Sequence, residues 1–293
     1  MRVMKMCMAK RIAGTEKTVL GEGIWWDERR QAFHYVDITE GLVCSVDPVT
    51  GRFLKAAFPD TVGCILPMPN GDIAVPLRDG LYDYCPESGA FKKCFSWSVP
   101  AAVRFNDGKC DKNGRLWIGT MYRDQSSPHA SGGGALYTFT PQEGLKEVLR
   151  GMSIPNGLAF NADDTVMYHI DTATQCVTAY DYSLSDGTLS APRVAVRVPK
   201  EDGAPDGMTV DREGKLWIAL WGGHRVACYD PKTGEKRTEI PVADALVSCC
   251  AFGGEDYHTL AITTAADADG AGGYIYSLPL DRAGAAPYPI HTL

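Results

Sequence analysis

The sequence predicts an all-β fold, a six-bladed β-propeller of four-stranded antiparallel blades around a central channel. Three observations predict it. Oxygen-bearing motifs recur at a fixed step of 50 residues: Asn106 in Arg104-Phe105-Asn106-Asp107-Gly108, Asn156 in Pro155-Asn156-Gly157, and Asp206 in Pro205-Asp206-Gly207. A strand–turn–strand pattern repeats within each step. Helical periodicity is nearly absent, and only 123–130 and 244–247 are expected to hold a turn of helix. A repeat of this length made of short strands points to radial blades rather than to a sandwich or a single barrel.

Taken in order, Gly21-Glu22-Gly23-Ile24-Trp25-Trp26-Asp27 opens the first unit and Val62-Gly63-Cys64-Ile65-Leu66 the second. The Asn106, Asn156 and Asp206 motifs open the next three. Val247-Ser248-Cys249-Cys250-Ala251-Phe252 opens the sixth, so that Glu22, Cys64, Asn106, Asn156, Asp206 and Cys249 are equivalent positions 42 to 50 residues apart. Within the third and fifth units, Asp111 to Ile118 and Asp211 to Ile218 share the pattern Asp-x-x-Gly-[Lys/Arg]-Leu-Trp-Ile. This reads as a hairpin in which glycine supplies the turn residue with positive φ. Asp47-Pro48-Val49-Thr50-Gly51 and Asp230-Pro231-Lys232-Thr233-Gly234 repeat an outer turn, because proline cannot donate to a ladder. Ala9 to Val19 is expected to join the last blade beside Gly273 to Leu278 and close the ring. No linker interrupts the pattern, so a single domain over residues 1–293 is expected. Gly132-Gly133-Gly134 forms a loop expected at the rim of the channel mouth, either as a lid or as a plain surface loop.

Composition narrows the partners. The chain has 293 residues, 45% of them hydrophobic, and a net charge of −7, which suits a globular protein and disfavours nucleic acid or an anionic membrane surface. The N-terminal stretch lacks the uninterrupted apolar run of an export signal, and no segment is long enough to span a bilayer. The ten cysteines lack zinc-type spacing, and they read as reduced thiols in a cytoplasmic protein.

Equivalent positions of a propeller face one another across its channel. Four of the six carry a side-chain oxygen: carboxylates at Glu22 and Asp206, amides at Asn106 and Asn156. That mixture suits a hard divalent cation such as Ca²⁺, Mg²⁺ or Mn²⁺, and the absence of histidine there gives no support to a three-histidine zinc site. Other chemistries lack their motifs. There is no Gly-x-Ser-x-Gly elbow, phosphate loop or His-Glu-x-x-His. Asp267-Ala268-Asp269-Gly270 lacks the later glutamate of a calcium loop. His169 and Asp171 alternate on one strand, flanking the channel or filling a blade core. Trp25, Trp117, Trp217 and Trp221 read as blade packing, with Trp26 or Trp221 as an alternative apolar wall for a sugar face.

These motifs together, with Gly119-Thr120-Met121 and Arg104 to Lys109, resemble the regucalcin/gluconolactonase (senescence marker protein) family of six-bladed propellers. The resemblance runs from Leu20 to Gly254. It implies a metal-dependent hydrolase acting on a sugar lactone, with Glu22, Asn156 and Asp206 as metal ligands and Asp206 as general base. It implies Arg104 and Asn106 as substrate-binding residues, with Asp124 in the place of a hydroxyl-contacting acid. Tyr122 and Arg123 depart from the small and acidic residues expected there. The implied cofactor is one divalent ion, Ca²⁺ first, with Zn²⁺, Mg²⁺, Mn²⁺ or Fe²⁺ open. Oligomeric state is unspecified. The alternatives are a calcium-binding regulatory protein without turnover, or a related propeller hydrolase of other lactones or phosphotriesters.

Overall fold

A computed structural model describes residues 8–291. Four separate four-stranded antiparallel sheets follow one another along the chain. The first holds Gly21–Asp27, Ala32–Asp37, Leu42–Val46 and Phe53–Ala57; the second Leu66–Pro67, Ile73–Leu77, Gly80–Tyr84 and Phe91–Ser96. The third holds Val103–Cys110, Leu116–Tyr122, Gly134–Thr140 and Gly144–Met152; the fourth Pro155–Phe160, Val166–Asp171, Cys176–Ser183 and Thr188–Arg197. The remaining strands form one eight-stranded sheet instead of two separate ones. In it, Ala204–Val210, Leu216–Trp221, Arg225–Tyr229 and Lys236–Pro241 meet Leu246–Gly253, Thr259–Ala265, Tyr276–Pro279 and Lys10–Arg11 through the single pair Trp221 and Leu246. The N-terminal strand closes against the C-terminal one as expected, with Lys10 opposite Ser277 and Arg11 opposite Tyr276.

The fold is all-β and propeller-like, nearly without helix. Among the described residues the helical turns are 3₁₀ segments at Thr172–Thr174, Lys200–Asp202 and Glu255–Tyr257. They are not at 123–130 or 244–247, where the sequence suggested them. In the first stretch Asp124 and Ser127 close successive turns through their carbonyls. In the second the Asp244 carboxylate is held by Thr264, the Tyr274 amide and the Tyr276 hydroxyl, which leaves no cap for a helix. The Gly132–Gly134 loop packs against its own turns, with the Gly132 amide donating to Ser153 Oγ at 3.1 Å.

The core lies between sheets. Trp117, Trp217 and Phe33 are fully buried, and one cluster joins Trp26 and Phe33 of the first sheet to Trp217 and Phe252 of the last. Trp26 packs on Phe33, with ring centroids 4.6 Å apart, and also lines a cavity between the inner strands.

The first strand of each sheet lies innermost, and these strands pack against one another. All but the short Leu66–Pro67 strand of the second sheet carry the same irregularity. Phe105 pairs with Thr120 and Gly108 with Ile118, so three steps on one strand match two on its partner. The same extra residue falls between Glu22 and Trp25, Pro155 and Leu158, and Pro205 and Met208. This is a β-bulge, which turns side chains out of the strand's alternation and toward the axis. In the last unit the bulge residue is Ser248, and Cys249 is already paired with Thr263. The equivalence assigned to Cys249 from sequence is thus one residue late.

Bulged strands converging on one axis leave no room for a Cβ after the motif residue. A Cβ on Gly157 would lie 2.6 Å from Met208 Cβ, and one on Gly207 would lie 2.6 Å from Cys249 Sγ. Gly207→Ala is expected to destabilise the fold by about 1–3 kcal/mol, the usual cost of overpacking. Equilibrium denaturation in urea would read this as a lower midpoint; an unchanged midpoint would contradict the packing described.

Candidate active site

The bulges bring Glu22, Asn156 and Asp206 together at one end of the channel, all buried. Asn156 Nδ2 donates to Asp206 Oδ1 and, at 3.1 Å, to Thr172 Oγ1. Thr172 Oγ1 in turn donates to the Pro205 carbonyl at 2.8 Å. With its amide hydrogens occupied, Asn156 is left with a buried Oδ1 that has no partner. Glu22 Oε2 accepts the Gly23 amide at 3.0 Å.

Two buried carboxyl groups close together resist ionisation. Burial holds Glu22 well above the usual carboxylate range, and the nearby Asp206 and Asp107 add to the effect. Asp206 is raised well above that range by burial and then by Asp107, against opposing help from Asn156 and Arg104. Asp107 is raised by its own burial, with Lys109 opposing. No lysine, arginine or histidine lies within ion-pair distance of Glu22 or Asp206 among the described residues. Two unpaired acids beside an orphaned amide oxygen form an all-oxygen donor set that fits a hard divalent cation, whose charge would relieve the repulsion.

Arg104 reaches the same place from the third sheet. Its Nη1 donates to the Phe105 carbonyl at 2.9 Å and to Asn106 Oδ1 at 2.6 Å. Asn106 Nδ2 donates to the Pro155 carbonyl at 2.9 Å, tying the third sheet to the fourth. Burial lowers the Arg104 guanidinium to about 10, still charged at neutral pH. Asp124 is not part of this group. It is exposed, and its Oδ1 accepts the Ser126 amide at 2.9 Å and the Ser126 hydroxyl at 2.6 Å. This local turn satisfies the carboxylate without the site.

His169 is buried in the fourth sheet, held neutral by burial, which lowers it to about 4. Asp171 receives the Ser153 and Ile154 amides at 3.1 and 2.9 Å, a scaffold role. Cys64 and Cys249 are buried thiols pushed well up by burial. Asp72, Cys85 and Glu87 cluster in the second sheet, but Arg30 engages Glu87 there. A cavity of 340 Å³ lies further along the inner strands, lined by Trp25, Asp107, Lys109, Met208 and Tyr288 among others, and not by Glu22, Asn156 or Asp206. Thr172, Asp107 and Arg123 were not expected from the sequence. Thr172 carries no signal beyond following Asp171, whereas Asp107 stands in the repeated motif itself.

Comparison with known proteins agrees with this geometry. Residues 20–266 match the model of the SMP-30/gluconolactonase/LRE-like region. The chain is 34% identical over 283 residues to a Bacillus subtilis (strain 168) protein named "Putative sugar lactone lactonase YvrE", covering 93% of this chain and 95% of that one. It is 35% identical over 253 residues to regucalcin of Danio rerio, covering 85% of this chain and 84% of that one. A crystal structure of a calcium-binding protein, regucalcin, from Agrobacterium tumefaciens str. C58 superposes with a TM-score of 0.89 at 25% identity, over 98% of both chains. No helix among the described residues is long and apolar enough to cross a membrane.

The raised carboxyls fix the sign of a stability experiment. Below about pH 4 Glu22 is protonated in both folded and unfolded chains, and its burial carries no ionic penalty. As pH rises, the unfolded chain ionises first and stability falls. In chelator, Glu22→Gln should therefore match the wild type near pH 4 and exceed it by on the order of 1–3 kcal/mol near pH 8. Comparing variants cancels the buried histidines, whose effect has the opposite sign. Calcium at a hundredfold excess over its dissociation constant should stabilise the wild type by about 2.7 kcal/mol and Glu22→Gln by much less. Calorimetric melting reads both; equal calcium responses would remove Glu22 from the ligand set.

Proposed function

The chain belongs to the SMP-30/gluconolactonase/LRE-like family, and from that premise we propose that it is a hydrolase that opens the ester of a sugar lactone to the aldonic acid. We read the merged eight-stranded sheet as two blades, which makes a single six-bladed domain over residues 1–293. The observation that carries the proposal is the buried, partnerless Asn156 Oδ1 beside Glu22 and Asp206, with the Arg104 guanidinium opposite.

Glu22, Asn156 and Asp206 would hold one divalent cation, Ca²⁺ first among the candidates. When bound, such an ion supplies Lewis-acid polarisation of an ester carbonyl. The chain's own groups do the rest. Asp206, as the carboxylate, takes a proton from the water that adds to the lactone carbonyl. Arg104 donates from the face of its fork that Asn106 does not use, toward the oxygen where negative charge grows. As the ring C–O bond breaks, the proton held by Asp206 passes to the leaving ring oxygen, completing addition of one water. Asn106 sets the orientation of Arg104 and presents its amide to a ring hydroxyl. Asp124 joins only if the substrate draws it away from Ser126.

A calcium-binding role without turnover would use the same oxygens. An ion buffer gains nothing from a guanidinium beside its cation, so Arg104 favours the hydrolase.

Asp206→Ala is expected to lower kcat by at least the general-base contribution of about 10²–10⁴-fold. Asn106→Ala should mainly raise KM, by about tenfold, if it removes ground-state positioning. A pH-indicator assay on a panel of aldonolactones measures both. Chelated protein is resupplied with Ca²⁺, Mg²⁺, Mn²⁺, Zn²⁺ or Fe²⁺, and spontaneous opening is subtracted. Near-full activity in Asp206→Ala would refute the assignment.

A further inference from the structure

The rim of the site beside Arg104 carries a second guanidinium, Arg123, that the opening of a neutral lactone does not use. Arg104 has no carboxylate within ion-pair distance among the described residues, and only its Nη1 is engaged, by Phe105 and Asn106. Arg123 follows the second strand of the same sheet and lies back across the first. Its backbone amide donates to the Ala102 carbonyl at 2.9 Å and its Nε to the Val103 carbonyl at 3.2 Å, which places the guanidinium beside Arg104. Its other end is fixed on the neighbouring sheet, with Nη1 3.3 Å from Thr61 Oγ1 and Nη2 2.7 Å from Asp60 Oδ1. Asp60 is shared, because Arg78 Nε also approaches it at 3.4 Å. Two guanidinium groups, Arg78 and Arg123, thus share one carboxylate, and Arg104 stands beside Arg123 without an ion pair of its own. Asp124, the next acid along, is turned onto Ser126 and pairs with none of these arginines.

A guanidinium pinned at three points, next to a second that lacks an ion pair, is a preorganised receptor for an anion. We propose that the substrate is a sugar lactone carrying a second, anionic group, a carboxylate or a phosphate, held by Arg123 while Arg104 keeps to the lactone carbonyl, which faces Asp206. This rests on the hydrolase reading and adds a substrate class to it. The departure of Arg123 from the acid expected there is then a specificity change: an acid would repel such a substrate.

The test compares three lactones on the wild type: neutral glucono-1,5-lactone, the carboxylate-bearing glucaro-1,4-lactone and 6-phosphogluconolactone. One of the charged pair is expected to exceed the neutral lactone in kcat/KM by at least about tenfold, and which one distinguishes carboxylate from phosphate. Arg123→Gln should cut that preference ratio by about tenfold, mostly through KM, and Arg123→Lys should retain part of it because charge survives without the fork. Equal or greater kcat/KM for the neutral lactone, or a ratio unmoved by Arg123→Gln, overturns the proposal while leaving the hydrolase intact. If no lactone is opened, the hydrolase reading fails instead. Calorimetric binding of glucarate and of 6-phosphogluconate, against gluconate, then decides the anion site. Binding of either at least about tenfold tighter than gluconate, lost in Arg123→Gln, sustains it; equal affinities overturn it.

Discussion

Glu22 and Asp206 are buried near each other with no basic side chain among the described residues paired to either. That repulsion is the constraint around which the channel end is organised. It is tolerated because the scaffold holds the groups rigidly. Each sits at a bulge in an innermost strand, and the residue after each is a glycine whose missing Cβ lets the neighbouring strand close in. A regular strand would send the next side chain back into the sheet. The bulge instead aims it at the axis, where equivalent residues of other sheets arrive from different directions.

The protein contains two kinds of buried acid, and the contrast identifies the site. Asp111 accepts the Asn113 and Arg115 amides, the Arg115 guanidinium, Trp117 and Tyr182. Asp211 accepts the Glu213 and Lys215 amides and the Trp217 indole. Asp37 receives the Val19 and Leu20 amides, as Asp171 receives those of Ser153 and Ile154. These carboxylates staple hairpins and hold strand starts, with their lone pairs filled by N–H and O–H donors. Asp27 belongs with them, held well below the usual range by His34 and Arg30 despite its burial. Glu22 and Asp206 have few such donors. Acids left hungry for positive charge, in a protein that satisfies Asp27, Asp37, Asp111 and Asp211 with its own donors, mark a place where something outside the chain completes the bonding.

Much of this was legible in the sequence. The 50-residue step of Asn106, Asn156 and Asp206 survives because each unit repeats one bulge at one register, so spacing along the chain maps onto equivalence around the axis. The hairpins of Asp111 and Asp211 follow from turn chemistry and alternation that are local, whereas the pairing of the N-terminal strand with the last strand follows from the closure a ring of repeats requires. What failed was non-local. Cys249 was placed one residue beyond its bulge because Val-Ser-Cys-Cys has no glycine to mark it. Asp124 was placed by motif position, but a serine two residues on satisfies it locally. Thr172 and Asp60 also act through partners 33 and 63 residues distant, Pro205 and Arg123, and no pattern along the chain announces such pairs.

The asymmetry of the channel end finally separates binding an ion from acting on a molecule. On the side of Glu22, Asn156 and Asp206 the groups are acceptors, and the hydrogens of Asn156 are turned away to Thr172 and Asp206 so that its oxygen remains free. On the side of Arg104 they are donors, oriented by Asn106, which is itself fixed to Pro155. Acceptors alone would suffice to bind a cation. The Arg104 donors, near enough for their charge to act on Glu22 and Asp206, add a second requirement, that a molecule bound there carry oxygens of its own. An ester carbonyl flanked by hydroxyls meets both conditions at once. The direction of charge flow follows, with a proton leaving toward the carboxylates while negative charge accumulates toward the guanidinium.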